Sequence, residues 1–337
     1  MSTKPDVSII TCHHRGDFIY KFVESVKKSF GVNYEIIIMT SDEKLALNGI
    51  PHCWVHYHEG LPAAKRNAGV RMAAAQCIAF FDDDVEIGPD CLYELRKTLL
   101  FSNNIGMVYG KLYKADEPTR LDEAGGYLTS SGFIWSRAGQ NIIDEGQFSE
   151  LQSILAGKSA SCMTTKRFFN MAGGFDEDFG ILGEETDLSW RIWLKGYCVL
   201  FCPSAIGIHY FNTKWKPANE YYTSKRVHYN GCRNYITMLI KNLEAKNLWT
   251  ILPKHILIWF FAGCAMLITG KLHQGWNILM GIGYIIKNLK HIIGKRSQIQ
   301  SRRSVNDDDI WPEIFRSPPR GYYLGRIRRY ISIGLHG

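Results

Sequence analysis

Cys77-Ile78-Ala79-Phe80-Phe81-Asp82-Asp83-Asp84-Val85 is the stretch on which the fold turns. Five apolar residues followed at once by acids read as a short strand buried on both faces. Such a strand ends at the carboxyl edge of a sheet, where open α/β sheets bind ligands. Adjacent carboxylates repel, and a hard divalent cation such as Mg2+ or Mn2+ relieves that cost. On an extended chain Asp82 and Asp84 face one side and Asp83 the other. Asp82 with Asp84 is therefore the candidate metal pair. The competing reading is a solvated turn that caps the next helix. Asp307-Asp308-Asp309 makes a contrast: no strand precedes it, and it reads as a solvated loop.

Working outward, Val7-Ser8-Ile9-Ile10-Thr11 reads as a buried first strand. Phe18, Ile19, Phe22, Val23, Val26 and Phe30 recur at helical spacing. Tyr34 to Met39 and Trp54 to His58 are further strands, and Ala63 to Ala75 is a helix between them and Cys77. Strands alternating with helices predict an α/β domain with a mainly parallel sheet flanked by helices. Segments 106–112 and 126–136, Tyr197 to Cys202 and Ala205 to Tyr210 continue the strands. Lys166 to Met171 and Asp187 to Leu194 read as short helices.

The character changes near residue 215. Residues 1–215 hold 21 Lys+Arg against 26 Asp+Glu, a net −5, whereas residues 216–337 hold 19 against 6, a net +13. The expected organisation is a catalytic-type domain over 1–215 and a basic, largely helical region over 216–337. The apolar run His255 to Gly270 has 16 residues, short of the roughly 20 that a spanning helix needs. It reads as an in-plane or re-entrant membrane segment, with a soluble core helix as the alternative. An asymmetric basic half meets either nucleic acid or an anionic membrane; the apolar stretches inside it favour membrane. Met1 to Asp6 carry no apolar run, which predicts no secretory signal. Nine scattered cysteines, with no Cys/His zinc spacing, predict reduced thiols in a cytoplasmic setting. Neither a P-loop nor a Gly-x-Gly-x-x-Gly fingerprint is present, which argues against an ordinary ATPase or dehydrogenase.

Three further constellations carry chemistry. Gly173-Gly174-Phe175-Asp176-Glu177 precedes Gly183-Glu184-Glu185-Thr186-Asp187. Acids at a helix start are stabilised by its dipole, which accounts for Asp187 and one glutamate. The remaining carboxylate is a candidate general base toward a hydroxyl. Lys65-Arg66-Asn67 falls early in a helix, where cations oppose the dipole, so they answer an anion such as a diphosphate or lie on a solvated face. His209 ends the last strand, as a packed core histidine or as a metal ligand.

Taken in order, Val7 to Thr11, Ala64-Lys65-Arg66-Asn67-Ala68-Gly69, Phe81 to Val85, Gly173 to Glu177, Glu184 to Arg191 and Ile208-His209-Tyr210 resemble the inverting glycosyltransferase family two, of GT-A-type fold. Arg233-Asn234-Tyr235 resembles the Arg-Asn element after its catalytic domain. The resemblance covers residues 6 to about 245, and its flavour is the rhamnosyltransferase-like branch that builds bacterial surface polysaccharides.

This resemblance implies a GT-A-type domain with a C-terminal helical membrane-associated extension. It implies a nucleotide-diphosphate sugar as donor and a divalent metal, Mn2+ or Mg2+, as cofactor. Asp82 and Asp84 match the Asp-x-Asp motif, and His209 matches a histidine that approaches the metal. Glu185 matches the catalytic base, with Glu184 as the alternative. Donor contacts are expected from Thr11, Arg15, Asp42, Lys65, Arg66, Asn67, Asp82 and Asp83, and acceptor contacts from Gly174, Phe175 and Asp187. Gln300-Ser301-Arg302-Arg303-Ser304 lacks the Trp of the processive synthases' Gln-x-x-Arg-Trp motif, which predicts transfer of one sugar. The partners implied are a polyprenyl-diphosphate-linked glycan acceptor and an anionic membrane surface, with no nucleic acid. The expected location is the cytoplasmic face of the inner (plasma) membrane, peripheral or monotopic. The alternative is a non-catalytic nucleotide-sugar or glycan-binding protein on the same fold.

Overall fold

The computed structural model of the protein describes residues 4–13, 16–47, 49–138, 142–211, 225–318 and 321. Two units emerge. The first comprises Met1–Gly126 and Ser136–Lys216, the second Tyr127–Trp135 and Pro217–Gly337. A single cut at residue 215 thus misses the short excursion Tyr127–Trp135.

In the first unit the apolar runs become strands β1 (Val7–His13), β2 (Tyr34–Thr40), β3 (Cys53–Tyr57) and β4 (Cys77–Asp82). β4 leads through Asp83-Asp84 into β5 (Val85–Ile87). β6 (Ile105–Lys114) and β7 (Glu117–Glu123) form a hairpin. β8 (Gly126–Leu128) and β9 (Ile134–Ser136) are a separate two-stranded pair. β10 (Gln152–Ser153), β11 (Ser161–Thr165) and β12 (Cys198–His209) complete the set. The main sheet runs β10-β12-β6-β11-β4-β1-β2-β3, with β5 on β12 and β7 on β6.

The sheet is mixed rather than mainly parallel. β1 is parallel to β2 and β4, β2 to β3, and β12 to β6, but β11 is antiparallel to both β4 and β6. Sequence periodicity shows where strands lie and not which way they run. β12 is also one strand where two were expected; a register shift between Cys202 and Ile206 replaces the break.

Helices α1 (Phe18–Lys27), α2 (Pro62–Met72), α3 (Cys91–Leu100), α4 (Lys166–Ala172) and α5 (Glu184–Trp193) pack around this sheet. α1 buries Ile19, Phe22, Val23 and Val26, the periodic set, while Phe30 lies beyond its end and is exposed. α2 carries Pro62 at its start, where a missing N–H costs nothing. Gly69 lets α2 lie close on β1, because a Cβ there would come within 2.6 Å of Ile10. That approach fixes where Lys65 and Arg66 sit. All nine cysteines are free thiols.

The second unit holds helices α6 (Lys225–Asn242), α7 (Ala245–Ile268), α8 (Leu272–Lys287), α9 (Leu289–Gln300) and α10 (Asp307–Ile314). Phe133, Cys232, Ile236, Ile240, Trp259, Met266, Ile278, Ile285 and Ile292 form its core. His255 is wholly buried and satisfied: its Nδ1 lies 2.8 Å from the Ser131 carbonyl oxygen, and its Nε2 accepts from Trp259 Nε1 at 2.9 Å.

Two expectations change here. The apolar run from His255 is the later part of the 24-residue α7, which by length and composition can cross a membrane, with an 18-residue window of mean hydropathy 1.8. A count of apolar residues alone misses the polar first turns that continue the helix. Asp307-Asp308-Asp309 is no solvated loop but the first turn of α10. Acids suit that end of the dipole, and Asn306 with Asp309 forms a capping box. Asp307 is fully buried and accepts from the Glu244 amide N–H (2.9 Å), Asn247 Nδ2 (2.8 Å) and Arg303 Nη2 (2.7 Å).

Candidate active site

β1 lies between β2 on one side and β4 on the other. The chain order reverses at this point, which makes the carboxyl ends of β1 and β4 the place where an α/β sheet opens a crevice. Cys12 of β1 stands beside Asp82 of β4 in register.

The acids after β4 do not lie on one extended strand. β4 stops at Asp82, Asp83 and Asp84 form a turn, and β5 then pairs antiparallel with the end of β12, setting Val85 beside His209. The Tyr210 amide donates to the Asp84 carbonyl oxygen at 2.9 Å. This pairing, more than strand alternation, carries Asp84 to His209. Asp84 and His209 are both buried, and His209 Nε2 lies 3.3 Å from Asp84 Oδ1. One ligand atom each from Asp82, Asp84 and His209 falls within 4.8 Å of the others. Two carboxylate oxygens and one imidazole nitrogen are a donor set that suits a divalent ion such as Mn2+ or Mg2+.

On its other side His209 meets Asp122 of β7, with Nδ1 to Oδ2 at 2.7 Å. The same Asp122 oxygen accepts from Lys158 Nζ at 2.7 Å. Burial works against a charged His209, but Asp122 and Asp84 outweigh it and raise its pKa to about 10. Burial likewise opposes the Asp122 carboxylate, but Lys158 and His209 hold its pKa below the usual range. Neither Asp122 nor Lys158 stands out in the sequence, because the hairpin register that delivers Asp122 is not written in any spacing.

Facing this cluster is the start of α5. Gly183, at φ +85°, turns the chain into the helix, and Glu184 and Glu185 occupy its first turn, three residues earlier than the sequence pattern places the helix. Arg66 joins the two sides: its Nη2 donates to Asp82 Oδ1 at 2.9 Å and its Nη1 to Glu184 Oε1 at 2.8 Å. The guanidinium is buried and lies 5.6 Å from the Phe175 ring centroid. Burial works against its charge, but neighbouring Cys12, Asp82 and Glu184 hold its pKa well above the ordinary value. Arg66 thus meets two of the protein's own carboxylates. Glu184 is buried, and its Oε2 has no hydrogen-bond partner among the described residues. Glu185 is half-buried; burial and the Glu184 charge raise its pKa far above the carboxylate range.

Several residues expected to meet ligands also make contacts within the protein. Lys65 is buried and donates to the His13 carbonyl and Ser41 Oγ, both at 3.2 Å. Asn67 clamps the Gly174-Phe175 loop: its Oδ1 accepts from the Phe175 amide and its Nδ2 donates to the Phe175 carbonyl, both at 2.9 Å. Phe175 itself is buried edge-on against Phe80 and Phe169. Thr11 is wholly buried within β1. Asp187 is also wholly buried; Arg191 Nε donates to its Oδ2 at 2.9 Å, and the same guanidinium donates to the carbonyls of Ala172 and Gly174. The partners of Lys65 and Asn67 lie far along the chain, where spacing gives no hint, whereas Asp187 and Arg191 form an i,i+4 pair. Asp42 lies just past the end of β2 and accepts from the Lys44 amide at 2.9 Å. Asp83 is half-buried in its turn. Arg15 lies outside the described residues.

Residues 8–169 match the sequence profile of glycosyl transferase family 2. That match spans 162 of the chain's 337 residues. The first unit has a mixed α/β, GT-A-like fold. No curated protein matches the chain in sequence. Among solved structures, the crystal structure of GalNAc-T7 with UDP, GalNAc and Mn2+ is similar at TM-score 0.56 and 15% identity, covering 86% of this chain. This chain spans 58% of the length of that one. The mannosyltransferase PcManGT from Pyrobaculum calidifontis, in complex with GDP-Man and Mn2+, gives TM-score 0.48 at 12% identity, covering 89% of this chain and 86% of its own. TarS of S. aureus gives 0.48 at 13% identity, covering 74% and 43%. These last two add nothing to the fold assignment.

Asp187→Ala leaves the Arg191 guanidinium buried without its carboxylate. Urea denaturation should show a loss of about 3–5 kcal/mol of unfolding free energy; a variant as stable as the wild type contradicts the framework role.

Proposed function

We propose that the protein transfers one sugar from a nucleoside-diphosphate sugar to a hydroxyl of a polyprenyl-diphosphate-linked glycan, inverting the anomeric configuration, in the assembly of a surface polysaccharide. The observation that carries this reading is the Asp82/Asp84/His209 cluster set opposite the Glu184-Glu185 turn across Arg66. The GalNAc-T7 structure holds UDP and Mn2+ on a similar fold, which supports a nucleotide donor and a divalent ion here.

Asp82, Asp84 and His209 would hold the cation, whose charge would offset the charge growing on the departing diphosphate. The acceptor oxygen bonds to the anomeric carbon as the bond from that carbon to the diphosphate oxygen breaks. The electron pair leaves with the nucleoside diphosphate, and the hydroxyl proton passes to the Glu185 carboxylate. Glu184, next to Glu185 in the chain, pairs with Arg66. Burial, and then the neighbouring Glu184, raise the proton affinity of Glu185, the direction that suits a proton acceptor. A one-step displacement of this kind inverts the centre.

The second unit supports a place at the cytoplasmic face of the plasma membrane. From Ala245 to Asn306 there are nine Lys+Arg and no Asp or Glu. α7 turns Ile251, His255, Trp259, Gly263 and Met266 inward and leaves Trp249, Leu257, Phe260, Phe261 and Ile268 exposed. α8 likewise exposes Leu272, Trp276 and Met280. Cations among outward apolar side chains fit an anionic leaflet, where each contributes about 1 kcal/mol. Lipid-linked acceptors are anchored in such a surface.

With a panel of nucleotide sugars, Mn2+ and a lipid-linked acceptor, the wild type should release nucleoside diphosphate. Glu185→Gln should slow turnover by roughly 10²–10⁴-fold, and Asp84→Ala should abolish it. Undiminished turnover in both variants removes the assigned roles, and donor binding without release favours the non-catalytic alternative. In flotation assays the chain should rise with phosphatidylglycerol vesicles and not with neutral ones. Phe261→Ser with Trp276→Ser should weaken that binding; retention on DNA instead of lipid overturns the membrane reading.

A further inference from the structure

We propose that Asp122 is a positioning residue for the cation site, holding His209 so that its Nε2, and not its Nδ1, faces Asp84 and the ligand cluster. The inference rests on the cation reading of Asp82, Asp84 and His209. His209 is a buried ring with two differently occupied edges. Nε2 looks toward Asp84 Oδ1 at 3.3 Å, inside the ligand cluster. Nδ1 looks away, to Asp122 Oδ2 at 2.7 Å. A carboxylate is acceptor-only, so the short contact requires Nδ1 to carry a hydrogen and donate it. Nε2 faces the Asp84 carboxylate instead, so a cation entering the cluster would take the place of the Nε2 proton, while the Nδ1 hydrogen bond orients the ring and raises the ligand's basicity.

Three features make the contact more than a packing accident. Lys158 Nζ donates to the same Oδ2 at 2.7 Å and to the Asp122 backbone carbonyl at 3.2 Å, fixing the carboxylate from behind. The Asp122 side chain is 10% exposed and that of His209 4%, so water is a poor substitute for either partner. The Phe211 ring stacks on the imidazole, with 5.8 Å between centroids and 27° between planes. The backbone supports the same arrangement: His209 pairs in register with Lys114 of β6, and β7 folds back on β6 to bring Asp122 alongside. A nitrogen ligand held this way favours Mn2+ over Mg2+, which prefers oxygen.

The test is metal binding, read without turnover. Mn2+ alone is titrated into wild type, Asp122→Asn, Asp122→Ala and His209→Ala and followed by electron paramagnetic resonance, with Mg2+ measured by competition. Thermal melting identifies variants that fold, and Asp122→Asn, which keeps the side-chain shape, carries the test if Asp122→Ala does not fold. The expected result is a loss of Mn2+ affinity of about 10–100-fold in the Asp122 variants, with a smaller loss for Mg2+, so that the Mn2+ preference falls toward that of His209→Ala. Wild-type Mn2+ binding in the Asp122 variants, with a clear loss in His209→Ala, overturns the role of Asp122 and leaves the cation site standing. Equal losses for both metals reduce Asp122 to general support and also overturn it. No Mn2+ uptake by the wild type, or no effect of His209→Ala, removes the cation site itself and the inference with it.

Discussion

A single buried guanidinium ties together the two halves of the site. Arg66 spans from the tip of β4 to the first turn of α5, bonding Asp82 on one side and Glu184 on the other. Taking a guanidinium and a carboxylate out of water is costly, and their mutual attraction offsets that cost only in good geometry. Arg66 and Glu184 are both nearly excluded from solvent, at 5% and 4% side-chain exposure. Neither can relax toward water, so the strand tip and the helix start keep a fixed separation. In the proposed reaction that separation is the space in which a sugar sits between the cation ligands and the base.

Backbone pairing does the rest. A three-residue strand, β5, would be negligible alone, yet its antiparallel pairing with the end of β12 is what draws Asp84 up to His209. The β6–β7 hairpin then places Asp122 on the far side of the same imidazole. The result is a row of alternating charge, Asp84, His209, Asp122 and Lys158, in which each buried group has a partner of opposite sign. Such a row is costly to half-build, and four separate strands and loops must fold before any of it is satisfied.

Much of this was legible in the sequence, and the failures share one cause. Apolar runs located most strands, and the acids behind Phe80-Phe81 marked the edge where the ligand cluster forms. The strand directions were not legible, so β11 entering antiparallel made the sheet mixed. Residue type was a good guide to charge and a poor one to partner. Arg66 was read as meeting a bound anion, while Asp82 and Glu184 supply the anions from 16 and 118 residues away. Asn67 holds a loop and Asp187 pairs with an arginine one helical turn on. Asp122 lay unmarked in a hairpin whose register no local spacing encodes. Asp307 misled in the opposite direction: three acids with no preceding strand looked solvated, but a helix dipole and two distant donors bury the first of them.

The account stands or falls on whether the cluster after β4 holds a cation. Crystals grown with Mn2+ and a nucleoside diphosphate, with diffraction recorded at the manganese absorption edge, address this directly. The account predicts one strong anomalous peak bounded by Asp82, Asp84 and His209 and touching the diphosphate. A manganese peak elsewhere against the nucleotide, with those three side chains uninvolved, would contradict it.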